Sequence, residues 1–237
     1  MKIYEFIKFA KKRLNSDEDY IKFQKLQARW IIEDLSRIVE FKGKTVLDVG
    51  CGYGGYSLEL AKVAKIVVAL DLNIVKKLST TKNIIQVRAD ATNLPFKDNT
   101  FDFVFCSSLI EHVQNQDKFI SELYRLTKPN GFCYLSFPPF YSPVGGHQFK
   151  PFHLLGEKIA IALYRRLKNI EVESFEKSFG NWGLYKTTIR KIKKLINHSN
   201  FEIVDMRTRF CPLNTAKIPV LGEFLTWHVE FILRKSR

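Results

Sequence analysis

No stretch of the chain approaches the roughly 20 consecutive apolar residues that a membrane-spanning helix needs, so a spanning protein is not expected. The first residues, MKIYEFIKFAKKRL, alternate charge with apolar groups and lack the apolar centre of a signal peptide. Cysteine is scarce, with Cys51, Cys106, Cys133 and Cys211 in no C-x-x-C pair. That excludes a disulfide framework or a zinc ribbon and suits a reduced, cytoplasmic protein, with peripheral attachment at a membrane as the alternative. Repeats, low-complexity tracts and a second domain boundary are also missing, so one domain over 1–237 is expected.

Acidic residues are too few to balance the basic ones, 24 against 38, for a net charge of +14. The excess sits on the flanks. Residues 1–44 carry 11 Lys and Arg against 7 Asp and Glu, residues 45–138 carry 10 against 9, and residues 139–237 carry 17 against 8. A lysine-rich solvated surface explains this, and so does an anionic partner such as RNA or an anionic lipid surface. With 46% hydrophobic and 14% aromatic residues, the chain has ample material for a core.

The chain is organised around residues 45–55, TVLDVGCGYGG. Thr45 to Val49 reads as a strand, a glycine-dense turn follows, and Ser57 to Ala64 reads as a helix. Gly50, Gly52 and Gly55 fit G-x-G-x-x-G, with Gly54 beside them. In this arrangement backbone N–H groups at a helix start face a ligand, and glycine lets it approach closely. Dehydrogenases show the same glycines. Asp48 separates the cases, because a carboxylate at the strand's mouth repels a pyrophosphate and welcomes a cation. Ile66 to Leu70 is a continuous apolar run, as expected of a strand buried on both faces, and it ends in Asp71. An acid there accepts ribose hydroxyls, which supports a nucleoside ligand without choosing between a methyltransferase and an NAD enzyme. Ile84 to Ala89 is a third strand, closed by Asp90-Ala91. Phe101 to Cys106 is a fourth, Phe132 to Phe137 a fifth after the turn Lys128-Pro129-Asn130-Gly131, and Phe201 to Thr208 a sixth.

The D-x-G-x-G order at Asp48 resembles the first motif of class I S-adenosylmethionine-dependent methyltransferases. The run D-A-x-x-L-P-F-x-D-x-x-F-D from Asp90 to Asp102 is close to the pattern of their type 11, small-molecule group. The resemblance covers about 45–137. It implies an α/β fold, a Rossmann-like seven-stranded sheet with helices on both faces, an N-terminal helical cover (1–44) and an insertion after the fifth strand (138–185). Residues 186–237 would complete the sheet. His228 to Arg234 alternates like a seventh, antiparallel strand, with a C-terminal amphipathic helix as the competing reading. The implied cofactor is S-adenosylmethionine. Asp48, Gly50, Cys51, Gly52 and Gly54 would hold its methionine part, Asp71 and Leu72 the ribose side, Asp90 and Ala91 the adenine. Cys106 and Ser107 would pass beside the methionine end. Glu111-His112, in an E-H-V string shared by relatives with varied substrates, reads as structural.

The insertion carries Tyr141, His147 and His153 among Phe140, Phe149 and Phe152. A histidine suits removal of a proton from an acceptor hydroxyl, and His147 is placed ahead of His153. Two histidines without a third well-spaced ligand do not make a metal site, so no metal is expected. The reading is methyl transfer to an O or N atom of a small molecule, lipid or glycan. An RNA methyltransferase using the basic flanks is the alternative, although no N-P-P-Y or D-P-P-Y tetrapeptide is present. A non-catalytic cofactor-binding module is another, and a dehydrogenase is third. Helices are expected at residues 3–14, Tyr20 to Val39, Leu72 to Leu78, Gln116 to Thr127, Leu154 to Leu167, Tyr185 to His198 and Lys217 to Trp227.

Overall fold

The apolar runs read as strands are strands in the computed structural model, which describes residues 8–13, 15–169, 171–178 and 182–236. They are β1 (Thr45–Val49), β2 (Ile66–Asp71), β3 (Ile84–Arg88), β4 (Phe101–Ser107), β5 (Thr127–Phe137), β6 (Phe201–Thr208) and β7 (Val229–Lys235). Together they form a seven-stranded sheet in the order β3-β2-β1-β4-β5-β7-β6. β1 pairs in parallel with β2 and β4, and β2 with β3. β7 runs antiparallel to β6, so the alternating C-terminal segment is a strand and not a helix. Burial follows position. Val67 to Leu70 in β2 are all buried, whereas Ile85 of the edge strand β3 is 52% exposed.

The helices are α1 (Asp17–Leu35), α2 (Gly55–Leu60), α3 (Gln116–Leu126), α4 (Glu157–Lys168), α5 (Ile189–His198) and α6 (Gly222–Leu225). α1 starts three residues earlier than its apolar pattern suggests. Ser16 caps it by accepting the Asp19 N–H, and Asp17, Glu18 and Asp19 sit in its first turn, where the helix dipole favours acids. α5 starts four residues later than expected, because Thr188 caps it by accepting from Lys191. Half of the expected helix at 3–14 lies outside the described residues; of the rest, 8–12 are helical.

Two expected helices are not α-helical over their length. After β2, Asp71 accepts from the Asn73 N–H and Gln86 accepts from the Val75 N–H. Gln86 thereby takes the N–H that a helix capped at Asp71 would give to the Asp71 carbonyl oxygen, and only a 3-10 turn at Lys76–Thr80 remains. In 217–227, Pro219 and the left-handed Val220 (φ 61°) confine the helix to α6. The expected turn before β5 is instead part of that strand. Asn130 is left-handed there, and a side chain on Gly131 would sit 2.9 Å from the Asp102 carbonyl oxygen.

By internal packing the chain divides into two compact units, 1–106 with 125–133 and 107–124 with 134–236. In the first, α1 lies against the start of α2. Gln24 Oε1 accepts the Gly55 N–H at 3.2 Å, and Tyr20 meets Tyr53 at 5.3 Å. In the second, the aromatic residues of the insertion pack largely on one another. Phe149 lies 4.7 Å from Phe175 and 5.1 Å from Tyr164 between ring centres, and Phe140 joins the same cluster. In the same unit, buried Arg209 donates to Glu230 (3.1 Å), Tyr134 (2.9 Å), Ser107 (3.0 Å) and Ser136. A buried guanidinium is tolerable because its donors are met by a carboxylate and hydroxyls.

Gly43 (φ 78°) and Gly54 (φ 79°) share a backbone conformation that favours glycine, but only Gly54 has a neighbour, the buried Leu78 side chain, 2.6 Å from where a Cβ would stand. Gly43→Ala should cost about 1–2 kcal/mol of backbone strain alone. Gly54→Ala should cost clearly more by urea denaturation. Equal losses would show that Leu78 moves aside and that the turn tolerates a side chain.

Candidate active site

The order of the sheet reverses between β1 and β4, and in open α/β sheets the carboxyl ends of strands at such a point form the ligand crevice. At the end of β1 the chain turns sharply through Gly50 (φ 75°), Gly52 (φ 53°) and Gly54 (φ 79°). The Gly50 and Cys51 N–H groups both donate to the Leu70 carbonyl oxygen, at 2.8 and 3.0 Å, which ties the turn to β2. Asp48 lies under the turn, 1% exposed, and Ser57 donates to its Oδ2 at 2.5 Å. Burial pushes the Asp48 carboxyl from the ordinary 3.8 up to about 7; the Ser57 bond lowers it and the Asp71 charge raises it further. A raised carboxyl favours the fold most below its unfolded value, near 3.8, and that contribution is lost as pH rises through about 7. Above that pH the site holds a buried negative charge that a cation would relieve. The Cys51 thiol is pushed up by burial and by the Asp48 and Asp71 charges, so it stays protonated.

Asp71 is half-buried at the end of β2. Its Oδ2 accepts the Gly52 N–H at 3.0 Å and its Oδ1 the Asn73 N–H at 3.1 Å. Next to it Leu72 is 43% exposed, an apolar face beside a carboxylate. Asp90 is exposed after β3, and its Oδ1 accepts from the Thr92 N–H (2.7 Å) and hydroxyl (2.8 Å), with Ala91 between them. Cys106 is fully buried near the end of β4. Asp48, the glycine turn, Asp71 and Cys106 thus gather on strands β1, β2 and β4, with Asp90 two residues beyond β3. Ser107 is engaged by Arg209, a residue that no sequence pattern singled out.

In the second unit the three insertion residues have different partners. His153 is 1% exposed; its Nε2 is 3.3 Å from the Ser142 carbonyl oxygen and its ring fills the space beside Gly146. Tyr141 stacks on Phe224 and lies 4.7 Å from the Lys186 ammonium. His147, left-handed at φ 50°, has its Nε2 3.6 Å from Glu111 Oε1, and its ring lies 4.8 Å from that of His112. His112 Nδ1 meets the Gly183 carbonyl oxygen at 2.7 Å, and the Tyr185 N–H donates to the Glu111 carbonyl oxygen. Burial lowers the His112 pKa and keeps the ring neutral, although the Glu111 charge opposes this. Glu111 and His112, set aside as structural from the sequence, therefore join His147 in one cluster. Their spacing along the chain, 35 residues from His147, carries no signal for it.

Residues 47–135 match a methyltransferase-domain family model. An uncharacterized protein of Methanocaldococcus jannaschii is 28% identical over 183 residues, 74% of this chain and 77% of that one. An uncharacterized methyltransferase of Mycolicibacterium vanbaalenii is 34% identical over 129 residues; the match takes in 52% of this chain and about half of that relative, 51% of its length. A solved S-adenosylmethionine-dependent methyltransferase from Mesorhizobium loti shares the fold, with a TM-score of 0.61 at 19% identity over 88% of this chain and 98% of that one. With the glycine turn over a buried acid, these likenesses have one consequence: residues 47–135 carry a methyltransferase domain, on a fold shared with S-adenosylmethionine-dependent methyltransferases.

Proposed function

We propose that this chain transfers the methyl group of S-adenosylmethionine to an O or N atom of a small molecule, lipid or glycan. The observation that carries the cofactor side is the buried Asp48 carboxylate beneath the glycine turn, an uncompensated negative charge where a ligand with an ammonium and a sulfonium would be favoured. The residues fit that group. Asp48 and the turn at Gly50, Cys51, Gly52 and Gly54 would hold the methionine part. Asp71, beside the exposed apolar Leu72, would hold the ribose side, and Asp90 with Ala91 the adenine. Cys106 would line the crevice at the end of β4.

When bound, the cofactor supplies a methyl group on a sulfonium, already a good leaving group, so the protein's task is mainly positioning. A hydroxyl acceptor must also lose a proton. His147 would take it, with the Glu111 carboxylate 3.6 Å away to stabilise the imidazolium. Phe140, Phe149 and Phe175 are spent on the insertion's own core, and Trp182, 45% exposed and 4.4 Å from His112, offers an aromatic surface beside this cluster. RNA is the second reading, supported by the exposed Lys186, Arg190, Lys191, Lys193 and Lys194 in and just before α5.

Calorimetry should show binding of S-adenosylhomocysteine and none of NAD, and Asp71→Ala should weaken the first at least tenfold. Binding of NAD alone would overturn the cofactor assignment. With radiolabelled S-adenosylmethionine and a panel of phenols, sugars, lipids and RNA, His147→Ala should lower turnover of a hydroxyl acceptor by about 100-fold or more while cofactor affinity is unchanged. Turnover within twofold of the parent would remove His147 from the reaction, and labelling of RNA alone would favour the second reading.

A further inference from the structure

Glu111, His112 and His147 each offer a donor atom, and these atoms lie within 4.8 Å of one another. Glu111 is 1% exposed, and neither of its carboxylate oxygens has a hydrogen-bond partner among the described residues. A buried carboxylate normally meets hydrogen bonds or a close counter-charge, since leaving it bare costs several kcal/mol, and here His147 Nε2 stands 3.6 Å off, beyond hydrogen-bond distance. His112 has its Nδ1 on the Gly183 carbonyl oxygen at 2.7 Å, so that Nδ1 carries the hydrogen and Nε2 keeps its lone pair. Metal-bound histidines are commonly oriented in this way, by a carbonyl on the other ring nitrogen.

We propose that Glu111, His112 and His147 bind a divalent transition-metal ion. Two imidazoles and a carboxylate suit zinc, manganese, cobalt or ferrous iron better than calcium or magnesium. In a tetrahedral site with bonds of about 2.0–2.2 Å, donors stand about 3.4 Å apart. Glu111 Oε1 and His147 Nε2, at 3.6 Å, already have nearly that spacing. Three protein ligands leave a fourth position open, the pattern of a reactive rather than a structural site. The backbone is braced for it, because the Tyr185 N–H and the Gly183 carbonyl oxygen hold the 110–112 turn from the same neighbouring segment.

The role of the ion, unlike its binding, rests on the methyl-transfer reading. With the ion bound, His147 is a ligand and not a base. An acceptor hydroxyl in the open position then loses its proton to solvent more readily, because the ion lowers its pKa. The site thereby selects acceptors that present an oxygen to a metal, such as phenols, catechols or hydroxy acids.

The test uses the untagged full chain, stripped with a chelator and titrated with zinc chloride by calorimetry and with cobalt(II) by visible absorption. One zinc per chain is expected, together with cobalt bands of a low-symmetry site and quenching of Trp182, which packs on His112. Glu111→Gln and His147→Gln, each checked for an unchanged circular dichroism melt, should weaken zinc at least tenfold. His198→Ala, a histidine on the exposed end of α5, should change nothing. Zinc binding that is absent in the parent, or equal in parent and both variants, overturns the site. S-adenosylhomocysteine is titrated in the same samples, so loss of the metal site with cofactor binding intact would leave the methyltransferase reading standing.

Discussion

A single carboxylate sets the terms for the first half of this protein. Asp48 is carried under the glycine turn by β1, a strand buried between β2 and β4, and there Ser57 donates hydrogen bonds to it. Burying a carboxylate without a cation works against the fold above neutral pH. The surroundings keep that arrangement rather than relax it. Gly50 and Cys51 are tied to Leu70, Gly52 to Asp71, and Gly55 to Gln24 of α1. The stored cost is released when a positive ligand arrives, so affinity for a cation is built into the fold itself.

Much of this was legible in the sequence because the physics is local. A short β-branched and aliphatic run with an acid in it, and glycines at short fixed intervals, specify a strand, a charge and a turn within about ten residues. Asp71 was legible for the same reason, at the end of the uninterrupted run 66–70. The seventh strand was legible from the alternation at His228 to Arg234, since period two separates a strand from a helix. Errors came where a side chain outcompeted the backbone pattern. Gln86 captured the Val75 N–H that a helix after β2 would have used, and Pro219 with Val220 broke the helix that 217–227 suggested.

What joins distant residues was not legible. Nothing in the string E-H-V distinguishes a structural Glu111 from one whose carboxylate lies beside His147. Nothing at Arg209 announces that its guanidinium gathers Ser107, Tyr134, Ser136 and Glu230. Such clusters depend on strand order and on the path of the 138–185 segment. The aromatic residues of that segment show the same limit. Phe140, Phe149 and Phe175 mainly fill a core of their own, which their number in the sequence does not announce. The exposed Trp182 remains beside His112.

The central claim is that Asp48 couples a proton to the cofactor. The direct measurement is the affinity of S-adenosylhomocysteine, which keeps the ammonium, as a function of pH between 5.5 and 8.5. Below about 7, Asp48 is protonated in the free protein and must release that proton to meet a cation. Affinity should therefore fall by up to about tenfold for each pH unit below 7 and level off above it, and Asp48→Asn should bind weakly at every pH with no such slope. A flat profile in the parent chain would contradict the account and would move the cation's partner away from Asp48.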